Sequence, residues 1–263
     1  MQQRAESGPD PVASHADMTA RQKLYLWLTA FFVSCLLIAD IVGIKLFRIP
    51  LGFEVSLPFS SSPIDAIEHT CGMLTFPVTF LLTDLLNEYY GTKGARRVTY
   101  IGLVMASFVF IVMNIAQAMP YLPKDFNIKQ EHFDAVFGSA KVMYVASLSA
   151  YLVGQLCDIW VFHAIKRVTG GRYLWLRATG STVVSQMLDS FVVSYLAFSL
   201  GRRVFPDPAV PPADFGDILK IAATGYTLKF VVAIAITPLI YLGRGVIHKY
   251  IGLTPLPARD PRA

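Results

Sequence analysis

Apolar residues along this chain fall into long blocks separated by short polar stretches, with no alternation and no narrow amphipathic stripe. A helix needs about 20 apolar residues to cross the hydrocarbon core of a bilayer. The blocks run roughly over 24–47, 72–90, 98–119, 142–165, 174–200 and 218–243, each long enough for one crossing. The pattern predicts an all-α polytopic membrane protein, a bundle of six transmembrane helices. The connections are too short for a second domain. The expected organisation is a disordered cytoplasmic tail over 1–22, a transmembrane domain over 23–252 and a second cytoplasmic tail over 253–263. The first block is too long for a signal-peptide core and lacks a small-residue cleavage site, so it is expected to remain in the mature protein.

Charge adds orientation. Basic residues concentrate on alternate connections: Arg4, Arg21 and Lys23 before the first block; Lys93, Arg96 and Arg97 after the second; Lys166, Arg167, Arg172 and Arg177 after the fourth; and Arg244, Lys249, Arg259 and Arg262 at the end. The opposite connections carry fewer, mixed with Asp and Glu. Cytoplasmic loops are the ones enriched in Lys and Arg, so both termini are expected in the cytoplasm. The net charge of +5 follows from this asymmetry and is no sign of a nucleic-acid partner. Cys35, Cys71 and Cys157 show no metal-ligand spacing and read as packing residues.

The informative residues are the polar ones inside the apolar blocks: Asp84, Glu88, Asp158, Asp189 and Lys229. A charge near the bilayer centre costs at least about 2.5–3.5 kcal/mol on insertion scales, and such residues usually face a polar pathway or one another. At helical spacing Phe76, Phe80, Thr83, Asp84, Asn87 and Glu88 share one face, as do Tyr151, Gln155, Asp158 and Phe162, and also Thr182, Gln186 and Asp189. A Gln-x-x-Asp pattern therefore occurs twice, at Gln155 with Asp158 and at Gln186 with Asp189. An amide beside a carboxylate offers donors and acceptors to a planar heterocycle. Counted at about 1.5 Å per residue from Lys93, Lys166, Arg177 and Arg244, the four groups Asp84, Asp158, Asp189 and Lys229 lie roughly 12–22 Å deep. That is the depth at which secondary transporters hold substrate.

Plainer roles stand beside these. Glu88 is equally suited to an interfacial pair with Lys93 or Arg96, and the three aspartates to bonding helices together or to neutralising Lys229. Asp40 and Lys45 suit the outer interface and His163 the inner one. Phe76, Phe80, Tyr151, Trp160 and Tyr226 suit packing, and their neighbourhood with the acids makes some of them stacking candidates. Lys229 is expected to pair with Asp84, Asp158 or Asp189.

Catalytic signatures are missing from the sequence: no Gly-x-Ser-x-Gly, no His-Glu-x-x-His, no phosphate-binding Walker loop and no His/Cys cluster at metal spacing. A carrier without cofactor or metal is expected, not an enzyme. The run Thr75-Phe-Pro-Val-Thr-Phe-Leu-Leu-Thr-Asp84-Leu-Leu-Asn87-Glu88-Tyr-Tyr-Gly91, followed by Ala95-Arg96-Arg97, resembles the signature of the queuosine precursor transporters, in the vitamin uptake transporter group. Tyr151 to Arg167, Ser181 to Asp189, and Tyr226 to Phe230 with Pro238 resemble that family's later helices. The resemblance implies a multi-pass importer in a bacterial inner membrane. Its small-molecule substrate would be a deazaguanine base, 7-cyano- or 7-aminomethyl-7-deazaguanine, salvaged into tRNA queuosine. It also admits a homodimer. The expected substrate-binding set is Asp84, Asn87, Glu88, Gln155, Asp158, Gln186, Asp189 and Lys229, with Phe76, Phe80 and Tyr226; Asp158 and Asp189, with Gln155 and Gln186, are expected to read the guanine-like edge, and Asp84 to lie beside them. The alternative is a substrate-capture subunit of an ATP-driven vitamin or nucleobase uptake system.

Overall fold

The computed structural model describes residues 18–43, 45–55, 64–124, 126–137, 141–204 and 211–257. Most of the expected N-terminal tail, and residues 258–263 of the expected C-terminal one, lie outside them. Helix α1 spans Ala20–Val42 and starts at a capping box, in which the Thr19 side chain accepts from the Gln22 amide and Gln22 answers the Thr19 backbone. The helix ends before the apolar block does. Gly43 is its C-cap, and the next apolar residues continue as strand β1 (Leu46–Val55), paired antiparallel with β2 (Ile64–Thr70). Arg48-Ile-Pro50 cannot prolong a helix, because Pro50 lacks an amide proton and pushes Ile49 toward extended backbone. The protein is mostly helical, as expected, and also carries a two-stranded hairpin beyond the end of α1 that the apolar pattern did not announce.

Among the described residues, five helices are long and apolar enough to cross a membrane. The longest, α2 (Phe76–Ala118), has 43 residues and would run roughly 65 Å if straight, about twice the hydrocarbon core. It is not straight. Gly91 breaks it with φ 66 and ψ −171, a conformation open essentially only to glycine. Contacts with α1 give the direction of each half. A Cβ on Gly72, just before α2, would lie 2.7 Å from the Ala39 carbonyl near the end of α1. At the break, the Tyr90 hydroxyl donates to the Arg21 carbonyl and the Tyr25 hydroxyl to the Gly94 carbonyl, at 2.7 and 3.0 Å. Farther on, a Cβ on Gly102 would lie 3.0 Å from Leu36. The chain thus runs up α1 toward Gly43, back down to Arg21, and up again.

A short helix α3 (Gln130–Phe137) precedes α4 (Lys141–Val168). The Tyr144 hydroxyl donates to Ala106 O and the Tyr151 hydroxyl to Thr99 O, so α4 descends beside the second half of α2. Helix α5 (Leu174–Tyr195) continues through a π turn at Leu196–Leu200 into α6 (Gly201–Val204), and α7 (Phe215–Ile251) returns. Leu24, Tyr89, Val98, Ile159 and Ile247 belong to one buried cluster, which brings the start of α1 and the end of α7 to the same end of the bundle. Large apolar side chains such as Trp27, Phe31, Val104, Phe108 and Leu242 point outward, as in a protein solvated by lipid. The chain is a multi-pass membrane protein.

Past α7 the backbone folds back onto the bundle. The Leu256 amide donates to the Glu88 carbonyl at 3.0 Å, three residues before the break, and the Leu256 side chain is buried. The backbone of α2 sets a testable contrast. Gly91→Ala should lose about 1–3 kcal/mol because its φ is positive, and should lower the unfolding midpoint in detergent. Gly225→Ala, in α7 with nothing within 4 Å of an added Cβ, should instead hold or raise it.

Candidate functional site

Near the Gly91 end, Glu88 is 3% exposed and grips Arg177 in a two-pronged pair, Nε to Oε2 at 3.2 Å and Nη2 to Oε1 at 2.6 Å. Lys166 Nζ lies 3.3 Å from Glu88 Oε2, and Arg244 reaches Oε1 at 3.9 Å. Arg177 also donates to the carbonyls of Gly171 and Arg172 and lies over the Phe162 ring. One carboxylate of α2 therefore joins α4, α5 and α7. Its partners are not Lys93 and Arg96. Those flank the break on the exposed side, whereas Arg177 and Lys166 project into the bundle from the first turn of α5 and the last of α4.

On the other side of the bundle, Lys229 of α7 pairs with Asp189 of α5 at 2.5 Å, the partnership expected for this lysine. Its ammonium also lies 5.1 Å from the centre of the Phe76 ring, and Phe76 meets Phe80 edge to face. Gly154 of α4 sits against Asp189: a Cβ there would be 3.2 Å from the Asp189 Cβ, so only a small residue lets α4 approach.

Between these two ion pairs lies a neutral-donor layer. Asp158 receives the Asn87 amide at 3.4 Å and the Ser185 hydroxyl at 3.3 Å, with no cation in contact. Asp84 is buried within electrostatic reach of Asp158 and Glu88, and its Oδ1 has no partner. Four further buried atoms of this region are also without partners: Asn87 Oδ1, Gln155 Oε1, Gln186 Oε1 and Ser190 Oγ. Most of them are acceptors. A buried polar atom without a partner costs about 1–3 kcal/mol, so these atoms on three helices form the acceptor-rich stretch of the described interior.

The structure brings together Asp84, Asn87 and Asp158, and separately Asp189, Lys229, Phe76 and Phe80. Tyr226 meets Phe230 on its own helix. Trp160 is 67% exposed on the outer face, and the Tyr151 hydroxyl is spent on Thr99 O. His163 is buried with neither ring nitrogen bonded, not interfacial. The depth count also needs correction. Lys166 and Arg177 are 2% and 1% exposed, so they are interior residues and not surface markers, and Asp158 and Asp189 lie deeper than counted from them. Sequence reasoning missed Ser181 and Ser185 as well. Arg177, Ser181, Ser185 and Asp189 recur every four residues, a polar stripe that was there to be read. Among the described residues no group of His, Cys, Asp and Glu is arranged to hold a metal.

Breaking a buried ion pair typically costs about 3–5 kcal/mol, whereas removing both partners costs less. Lys229→Met should lower the detergent unfolding midpoint markedly, and Lys229→Met with Asp189→Asn should recover part of the loss. Arg177→Met, which removes two hydrogen bonds to Glu88 and two to backbone carbonyls, should destabilise more than Lys166→Met. Equal midpoints for all of these variants and the parent protein would contradict the pairing.

The sequence of residues 70–243 matches the family profile described as "Putative vitamin uptake transporter". The "Probable queuosine precursor transporter" of Bacillus subtilis is 32% identical over 180 residues, 68% of this chain and 72% of the relative. The protein of the same description from Haemophilus influenzae is 29% identical over 68% of this chain and 71% of its own length. The "Queuosine precursor transporter" of Escherichia coli is 27% identical, with coverage of 68% and 71%. No solved structure gives a significant match. The matched segment contains Asp84, Glu88, Asp158, Lys166, Arg177, Asp189 and Lys229, with Arg244 just beyond its end, and the chain belongs to the vitamin uptake transporter family.

Proposed function

We propose that this protein imports a queuosine precursor, 7-cyano- or 7-aminomethyl-7-deazaguanine, across a bacterial inner membrane, and that the layer between the two ion pairs binds the base. The observation that carries the reading is the set of unpartnered acceptors, Asp84 Oδ1, Asn87 Oδ1, Gln155 Oε1 and Gln186 Oε1, beside an Asp158 that no cation neutralises. A deazaguanine presents a ring N–H and an exocyclic NH₂ side by side, with a carbonyl next to them. Such donors are what an acceptor-rich site lacks. Asp158 and Asp84 take the donor edge, the amide groups of Gln155 and Gln186 answer the rest, and Phe76 and Phe80 cover a ring face. Asp189 and Lys229, with Glu88 at the other layer, border the site and hold its helices. The names of the three relatives support the substrate class.

The reading includes six crossings with both chain ends in the cytoplasm. Its support is the reversal at Gly91, the shared end of α1 and α7, and the cations Arg21, Lys93, Arg96, Arg97, Arg172 and Lys249 gathered at that end. A reporter that is active only in the periplasm should be silent when fused after Gly252, and signal from it would reverse the orientation.

Uptake tests the site. In a strain that needs an external precursor, this gene should restore queuosine in tRNA. Asp158→Asn presents an NH₂ to the ligand's own donors, a clash worth roughly 1–3 kcal/mol, so uptake affinity should fall about ten- to a hundred-fold at equal expression. Guanine-edge analogues should compete and adenine, which has neither the ring N–H nor the carbonyl, should not. Normal uptake by expressed Asp158→Asn and Asp84→Asn, or competition by adenine equal to that of the deazaguanine, would leave these carboxylates a structural role only.

A further inference from the structure

An open groove of about 680 Å³ lies between α1 and the stretch of α2 around the Gly91 break, and none of the acceptor-layer residues lines it. Tyr25, Leu26 and Ile101 give it apolar walls, and Leu26 and Ile101 are exposed on the outer surface. Three cations, Arg21, Lys93 and Arg97, line it at the Gly91 end. Among the described residues no carboxylate lies within ion-pair distance of any of them, although each of the buried cations Arg177, Lys166 and Lys229 has one. The Arg21 guanidinium is 6.0 Å from the centre of the Tyr90 ring, which fixes it over the groove. The Tyr25 and Tyr90 hydroxyls are both committed to backbone carbonyls, so the two aromatic walls are held in place by bonds across α1 and α2.

An apolar trough facing lipid, closed at its interfacial end by three cations that no described carboxylate pairs, has the chemistry of one kind of occupant. We propose that it is a binding site for an anionic phospholipid, the acyl chain lying along Leu26 and Ile101 and the phosphate among Arg21, Lys93 and Arg97. The charges are what an anionic headgroup needs, and a zwitterionic one carries its own cation into the same cluster. The lipid would also bridge α1 to α2 at the point where the Gly91 break leaves the helix pair held by two tyrosine hydrogen bonds.

Native mass spectrometry of the full chain, purified in detergent and offered phosphatidylglycerol and phosphatidylcholine with identical oleoyl chains in equal amounts, tests this. Phosphatidylglycerol should be retained preferentially, and each neutralisation in Arg21→Gln, Lys93→Gln and Arg97→Gln should cut that retention about fivefold. Leu26→Trp, which keeps all three charges and fills the trough, should cut it too. Lys124→Gln with Arg203→Gln, at the opposite end of the bundle, should leave it unchanged. Soluble glycerol phosphate should not bind. Equal retention of the two lipids by the unaltered protein would overturn the proposal without any variant. So would undiminished retention by the triple variant, or binding of glycerol phosphate as tight as that of the lipid, which would make the site one for a free anion.

Discussion

A charge inside a bilayer-spanning bundle has to be met by an opposite charge from another helix, and the arrangement of this protein follows from how that requirement is met. Asp84, Glu88, Asp158 and Asp189 lie in the interior, and among the described residues two of these four carboxylates have cations. Glu88 is matched by Arg177 and Lys166, and Asp189 by Lys229. These pairs connect α2 to α4, α5 and α7 at two levels, and since removing one partner strands the other, they oppose any sliding of the helices. Asp84 and Asp158 have no cation. Asp158 gets two neutral donors, and Asp84 Oδ1 gets none.

On the proposed reading, the asymmetry separates framework from site. A protein that needed only to hold its helices together would finish pairing its buried groups, since each unpartnered one costs stability. Here the layer without cations lies between two ion-paired ones. On the proposed reading, the pairs keep the helices from closing over the acceptors. The Gly154–Asp189 contact and the Gly91 reversal serve the same end: one lets α4 approach α5, the other lets a single helical run present Asp84, Asn87 and Glu88 on its descending half.

Much of this was legible in the sequence. The apolar blocks marked the crossings because backbone in lipid must bond to itself, leaving the helix as the spanning element. Helical spacing put Asp84, Asn87 and Glu88 on one face, and the depth of Lys229 required an acid partner. The failures have physical causes. Cations at helix ends look alike whether they face water or turn inward, so Lys166 and Arg177 read as loop residues although they hold Glu88. The stretch from Gly43 to Pro50 stays apolar across a change from helix to strand, so hydropathy alone carries the first block too far. A one-residue reversal at Gly91 has the composition of an ordinary loop, with Lys93, Arg96 and Arg97 beside it.

The central claim is that the layer around Asp158 binds the base while the pairs on either side hold the framework. Equilibrium dialysis with labelled 7-cyano-7-deazaguanine and purified protein, without a membrane gradient, addresses it most directly. The account predicts saturable binding by the parent protein, retained by the paired double variant Lys229→Met with Asp189→Asn where it folds, and abolished or weakened at least about tenfold by Asp158→Asn at unchanged fold. Binding by folded Asp158→Asn with the affinity of the parent protein would contradict it.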